Sequence, residues 1–156
     1  MNRIETLRLL FRELGILGVE TSTRLARVLP SPLTETQFGI LNHLCFTTNV
    51  DETPGDLARA FKVTRPAMTQ LLGRLVDHGW VELRPAPSDG RLRHVHLTAA
   101  GAEAHGAVLE ALDADFGAIG ARTSATELED LLAALRRFRF TVESVPGPGT
   151  GEEDLS

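Results

Sequence analysis

The chain has 156 residues, a mass of 16.9 kDa, a formal net charge of −5 and a single cysteine, Cys45. That length suffices for one domain with its own core, while a lone cysteine excludes an intramolecular disulfide and suits a reducing compartment. No apolar run is long enough to span a membrane and Met1-Asn2-Arg3 opens no signal-peptide pattern, so a cytoplasmic protein without a membrane partner is expected.

Residues Ile4 to Leu29 read as one helix, because Leu7, Leu10, Phe11, Leu14, Leu17, Leu25 and Val28 form a broad apolar stripe, weakened locally by Gly15 and Gly18. Leu29-Pro30-Ser31-Pro32 ends it. Thr34-Glu35-Thr36-Gln37 is a capping box that starts a second helix, whose Phe38, Ile40, Leu41, Leu44 and Cys45 supply a buried side. Thr47 to Glu52 is a loop.

Two start signals then lie close together. Thr53 before Pro54 is an N-cap with proline at the first helical position, and Thr64 is a second cap with Pro66 tolerated in the first turn. A short helix, a turn at Lys62-Val63 and a second capped helix make a helix-turn-helix. Leu57, Phe61, Val63, Met68, Leu71, Leu72 and Leu75 can share one small core. That leaves Arg65, Pro66, Thr69, Gln70, Gly73 and Arg74 on the other face of the second helix. Small, basic and amide-bearing groups of this kind suit a major groove, although a solvated helical surface has the same composition.

Trp80-Val81-Glu82-Leu83-Arg84 alternates as a half-buried strand does, Asp89-Gly90 is a tight-turn signal, and Arg93-His94-Val95-His96-Leu97 alternates again with Val95 and Leu97 inward. The result is a β-hairpin wing with Arg84, Arg91 and Arg93, able to reach a minor groove. Between Thr53 and Leu97 seven basic residues stand against four acidic ones, which gives +3 locally and leaves −8 on the rest of the chain. A basic head on an acidic body orients a protein on a polyanion.

Val63-Thr64-Arg65-Pro66-Ala67-Met68-Thr69, leading into Leu75-Val76-Asp77-His78-Gly79-Trp80-Val81, resembles the MarR (multiple-antibiotic-resistance regulator) family of winged-helix transcription factors. Asp89-Gly90-Arg91 matches that family's Asp-x-Arg wing element, and Leu97-Thr98-Ala99-Ala100-Gly101 its Leu-Thr-x-x-Gly helix start. Gly90 departs from the basic residue many members carry there, which weakens phosphate contact at the wing tip.

The resemblance and the residues together predict a mostly α fold with a small β-hairpin wing, a winged helix-turn-helix flanked by N- and C-terminal dimerisation helices. Residues 1–143 form a single domain in this reading, with the reading head at 53–97, dimerisation helices at 1–29 and 98–143, and a disordered acidic tail at 144–156. Thr98 caps a helix carrying Val108, Leu109, Leu112, Phe116 and Ile119. The capping box Ser124-Ala125-Thr126-Glu127 starts another, with Leu128, Leu131, Leu132, Leu135 and Phe138. These helices and the first are more apolar than a lone reading head needs, which favours a homodimer on a palindromic operator in double-stranded DNA.

The expected contacts are Arg65, Thr69 and Gln70 near base edges, beside Pro66, with Thr64 and Arg74 on phosphates. Arg91, oriented by Asp89, enters the minor groove, with Arg93 beside it. The resemblance further implies a repressor released by a small aromatic or anionic effector, bound between the second helix and the dimer body, where His43 stands as a candidate. Two rival readings keep the scaffold: a protein-interaction module that never touches DNA, and a thiol redox sensor acting through Cys45. A cysteine in apolar surroundings reacts slowly, so packing is the expected role of Cys45.

His94 and His96 share one face of a strand and could share a metal. No cysteine, aspartate or third histidine lies at ligand spacing nearby, so the pair falls short of an ordinary site, and no metal or other cofactor is expected. Cross-hairpin neighbours Glu82 and Arg84 are expected instead. Nucleophile–base pairs, phosphate loops and clustered carboxylates are missing from recognisable settings, so an enzyme is not expected.

Overall fold

The computed structural model describes residues 2–47, 51–86 and 91–146. Along the chain run α1 (Arg3–Val28), α2 (Glu35–Phe46), α3 (Pro54–Ala60), α4 (Arg65–Asp77), β1 (Val81–Pro85), β2 (Arg93–Leu97), α5 (Ala99–Gly120) and α6 (Ala125–Ser144). Two compact units divide within α5, after Asp113. No helix among the described residues is long and apolar enough to cross a membrane.

Helix starts follow local chemistry. The side chains of Asn2, Thr34, Thr53 and Ser124 each accept a backbone N–H at N3, and Glu5, Gln37, Asp56 and Glu127 reach back to the cap in turn. In α4 the Thr64 hydroxyl accepts from the Ala67 N–H at 3.3 Å, without the reciprocal bond and without an acid in the first turn.

Helix ends around the reading head are equally specific. At the end of α3, Val63 N–H reaches the Ala58 carbonyl (3.1 Å) and Lys62 N–H that of Arg59 (3.3 Å), with Lys62 at φ 54°. At the end of α4, Trp80 N–H reaches Leu75 (2.9 Å) and Gly79 N–H reaches Val76 (2.8 Å), with Gly79 at φ 70°. Both are Schellman closures, in which the left-handed residue reverses the chain while late carbonyls stay satisfied. Glycine meets that demand without strain at position 79, whereas the lysine at 62 meets it at a cost of roughly 1 kcal/mol.

The core of the first unit joins Phe38, Ile40, Leu41 and Leu44 of α2 to Leu57, Met68, Leu72 and Leu75 of the helix-turn-helix, and to Val81, Val95, Val108 and Leu112. Leu25 is the single buried residue of α1. The hairpin is antiparallel, with Val81 opposite Leu97, Leu83 opposite Val95 and Pro85 opposite Arg93. Its first strand begins one residue later than the alternation predicts, because Trp80 serves as the last residue of the α4 closure.

The start of α5 is locked onto the base of the wing. Thr98 N–H donates to the Trp80 carbonyl at 3.1 Å, its hydroxyl donates to the Gly79 carbonyl at 2.6 Å, and the same oxygen accepts from Gly101 N–H at 3.0 Å. Gly101 is buried, and a Cβ there would lie 2.0 Å from the Trp80 carbonyl oxygen. Steric exclusion therefore explains the glycine of the Leu-Thr-x-x-Gly element.

Within the second unit, α6 buries none of its residues. Its Leu128, Leu131, Leu132 and Leu135 are exposed, as are Phe116 and Ile119 of α5. The predicted disorder of 144–156 concerns residues that, beyond Pro146, lie outside the described part.

Candidate nucleic-acid interface

Helix α4 presents the two faces its spacing predicts. Met68, Leu72 and Leu75 are buried, whereas Thr64, Arg65, Pro66, Thr69, Gln70, Gly73 and Arg74 are exposed. Between α4, the start of α3 and the wing lies a cleft of about 400 Å³, lined by Thr53, Pro54, Gly55, Arg59, Arg65, Thr69, Arg91, Leu92 and Arg93. Four arginines, from α3, α4 and the wing, thus line one cavity. Arg65, Thr69, Arg91 and Arg93 converge there as candidate contacts, whereas Thr64, Pro66, Gln70 and Arg74 lie on the exposed surface of α4 outside its lining. Asp89 falls outside the described residues.

Arg59 is the cleft residue the sequence reading did not single out. It pairs with Asp56, whose carboxylate also accepts from the Thr53 hydroxyl (2.6 Å) and backbone N–H (2.8 Å). Those Thr53 bonds, then Arg59, hold the Asp56 carboxyl below its ordinary range. Arg59 therefore enters the cleft partly neutralised. Arg84 pairs with Glu82 and does not line the cleft.

The N-terminus of α4 adds to the positive field. Helices α1, α2, α3 and α6 each carry an acid in the first turn, whereas α4 carries none and begins with Arg65. The helix dipole at that end is therefore not offset by a carboxylate of its own first turn.

His43 does not stand alone at the end of α2. Its Nε2 lies 2.8 Å from the Glu52 carboxylate, which also accepts from the Thr47 hydroxyl at 3.1 Å, and its ring packs edge-on against Phe61. It thereby ties α2 to the segment entering α3. Cys45 is half-buried, and burial pushes its thiol pKa up, lowering the thiolate fraction.

His105, which no motif marked, is buried against Phe38, stacked at 5.4 Å, with Nε2 2.9 Å from Asn42 Oδ1. Burial lowers its pKa from the ordinary 6.5.

Glu82 stands opposite His96 and Arg84 opposite His94, as expected. The expected ligand count around the histidines is corrected by the fold. Asp51, distant in sequence, lies beside them, and one ligand atom from each of the three residues falls within 4.8 Å of the others.

The model of the MarR family matches residues 31–92, from the turn before α2 into the wing. Over residues 31–92 the chain is thus similar to the MarR family. The multiple antibiotic resistance protein MarR of Escherichia coli is 38% identical over 73 residues, covering 47% of this chain and 49% of that protein. The chain thus spans about half the length of the curated relatives it matches. A mutant MarR from E. coli complexed with operator DNA superposes with a TM-score of 0.65 at 26% identity, over 88% of this chain and 99% of that one. MepR of S. aureus bound to ethidium bromide gives 0.57 at 20% identity, over 91% and 97%. That last likeness concerns the fold alone. The MarR-family match covers α2, α3, α4 and β1 whole, together with three cleft arginines, Arg59, Arg65 and Arg91. An uncharacterized HTH-type transcriptional regulator of Mycobacterium leprae is 39% identical over 88 residues, covering 51% of this chain and 58% of that protein.

Proposed function

We propose that this chain is a sequence-specific DNA-binding transcriptional regulator, a homodimeric repressor of a palindromic operator. The observation that carries the reading is the cleft in which Arg59, Arg65, Arg91 and Arg93 converge from α3, α4 and the wing. In duplex DNA a phosphodiester ridge separates the major groove from the minor groove. A cationic cleft between a recognition helix and a wing accepts that ridge, with α4 on its major-groove side and the wing on its minor-groove side. Thr69 and Gln70 then read base edges beside Pro66, Arg65 holds the phosphate ridge next to them, and Thr64 and Arg74 hold further phosphates. Arg91 enters the minor groove with Arg93 behind it, and Asp89 supplies the acceptor that orients Arg91.

Dimerisation supplies the second half-site. The exposed Leu7, Leu10, Phe11 and Leu17 of α1, and the exposed leucines of α6, are the surfaces a second copy would cover. Effector release follows by linkage, since a ligand that prefers a dimer with misplaced heads weakens DNA binding by its preference ratio. A small aromatic or anionic effector at His43 would compete with the Glu52 contact and so act on the lead-in to α3.

Fluorescence anisotropy with DNA from upstream of the protein's own gene, beside a scrambled duplex at two salt concentrations, tests the reading. Tight, sequence-dependent and salt-sensitive binding is expected. Failure to bind duplex DNA at either salt concentration would replace the regulator with a protein-interaction module.

A further inference from the structure

We propose that Asp51, His94 and His96 form a binding site for one divalent transition-metal ion of the zinc class. His94 and His96 are two apart on β2 and so project from one face of the strand. Their rings meet edge to face with centroids 6.4 Å apart. The third ligand is delivered by a backbone contact. Val95, between the two histidines, donates its N–H to the Glu52 carbonyl at 2.9 Å, which lays the segment before α3 along the strand. Asp51 then places Oδ1 3.8 Å from His94 Nδ1. Glu52 is itself anchored to α2 through His43 and Thr47, so this placement is built into the fold.

The donor set selects the ion. Two imidazoles and one carboxylate suit zinc, cobalt, nickel or copper, whereas calcium and magnesium favour sites made wholly of oxygen. Tetrahedral ligands at zinc distances stand roughly 3.3 Å apart. Ligand atoms within 4.8 Å reach that spacing by small side-chain rotations, to which the exposed Asp51 offers little resistance. Water completes the fourth position. Such an ion joins the wing to the segment entering the helix-turn-helix. It therefore acts as a clip closing a loop of about 40 residues, the kind of constraint that removes unfolded-chain entropy. The proposal does not depend on DNA binding.

The test uses the full chain stripped of metal by chelation and dialysis. Zn²⁺ titration in a calorimeter should show one ion per chain, and Co²⁺ should give the visible absorption of a tetrahedral complex. Zn²⁺ should also raise the melting midpoint of the wild type. Asp51→Asn should weaken binding about tenfold or more, and His94→Ala with His96→Ala should abolish the saturable site and the melting shift. His78→Ala removes a histidine outside the cluster and should keep the site. Circular dichroism checks the fold of each variant, and Asp51→Asn, at an exposed side chain, serves if the double histidine variant does not fold. No saturable binding by the wild type, or unchanged affinity in both Asp51→Asn and the double variant, would overturn the proposal.

Discussion

The reading head and the terminal helices use apolar residues in opposite ways. In α3 and α4 the residues Leu57, Met68, Leu72 and Leu75 are all buried, and apart from Val76 the exposed residues are small, polar or charged. In α1 and α6 large apolar side chains remain exposed, Phe11 at 55% and Leu131 at 54%, among charges of both signs in nearly equal number. The head is finished within one chain. The terminal helices are not. A face that a single chain leaves apolar is one a second chain would stabilise, so under the proposed function the contrast separates the surface for a polyanion from the surface for a partner copy.

The largest effect should come from breaking the second kind of surface. Placing charge there, with Leu10→Glu and Leu131→Glu together, should convert a dimer to a monomer by light scattering. It should weaken operator binding by roughly a hundredfold or more, because one half-site loses the avidity of two. A dimer that persists with full affinity would remove these helices from the interface.

Gly101→Ala should be the most destabilising small change in the head, since its methyl meets the Trp80 carbonyl at the base of the wing. Overpacking against backbone costs about 3 kcal/mol at the upper end, or roughly 10 °C in melting midpoint for a chain of this size. An unchanged midpoint would show that α5 does not dock as described.

Acid should loosen the first unit through His105. Burial lowers its folded-state pKa below 6.5, so beneath that pH the unfolded chain binds a proton that the folded chain resists. This contribution to stability is complete above pH 6.5 and is lost as the pH falls towards the lowered folded value. His105→Gln should flatten the melting profile in that window, and an unaltered profile would assign the titration elsewhere. The smallest effect concerns the helix-turn-helix bend, where Lys62→Gly should raise stability by about 0.5 kcal/mol by relieving the left-handed lysine. A lower midpoint would mean that the lysine side chain contributes more than its backbone costs.

Much of this was legible in the chain because its signals are local. Thr34, Thr53, Thr64 and Ser124 each begin the helix they announce, and the polar face of α4 follows from its apolar spacing. The Asn2–Glu5 box went unread only because it abuts the chain start. What spacing does not carry is convergence. Arg59 is visible as a base on α3, but its place in the cleft is set by the bend at Lys62. Asp51 joins His94 and His96 only through the Val95–Glu52 backbone bond. His105 is an isolated histidine in an alanine-rich helix until Phe38 and Asn42 close over it.

The central claim is that the arginine cleft holds DNA phosphate. The most direct measurement is the salt dependence of operator affinity for the wild type, Arg65→Ala, Arg93→Ala and Arg84→Ala. Each cleft variant should lose about tenfold or more in affinity and flatten the logarithmic salt slope by about 0.9 for each phosphate contact removed in the dimer. Arg84→Ala, whose guanidinium is paired with Glu82 outside the cleft, should stay close to wild type. Equal losses for all three, or wild-type slopes for both cleft variants, would contradict the account.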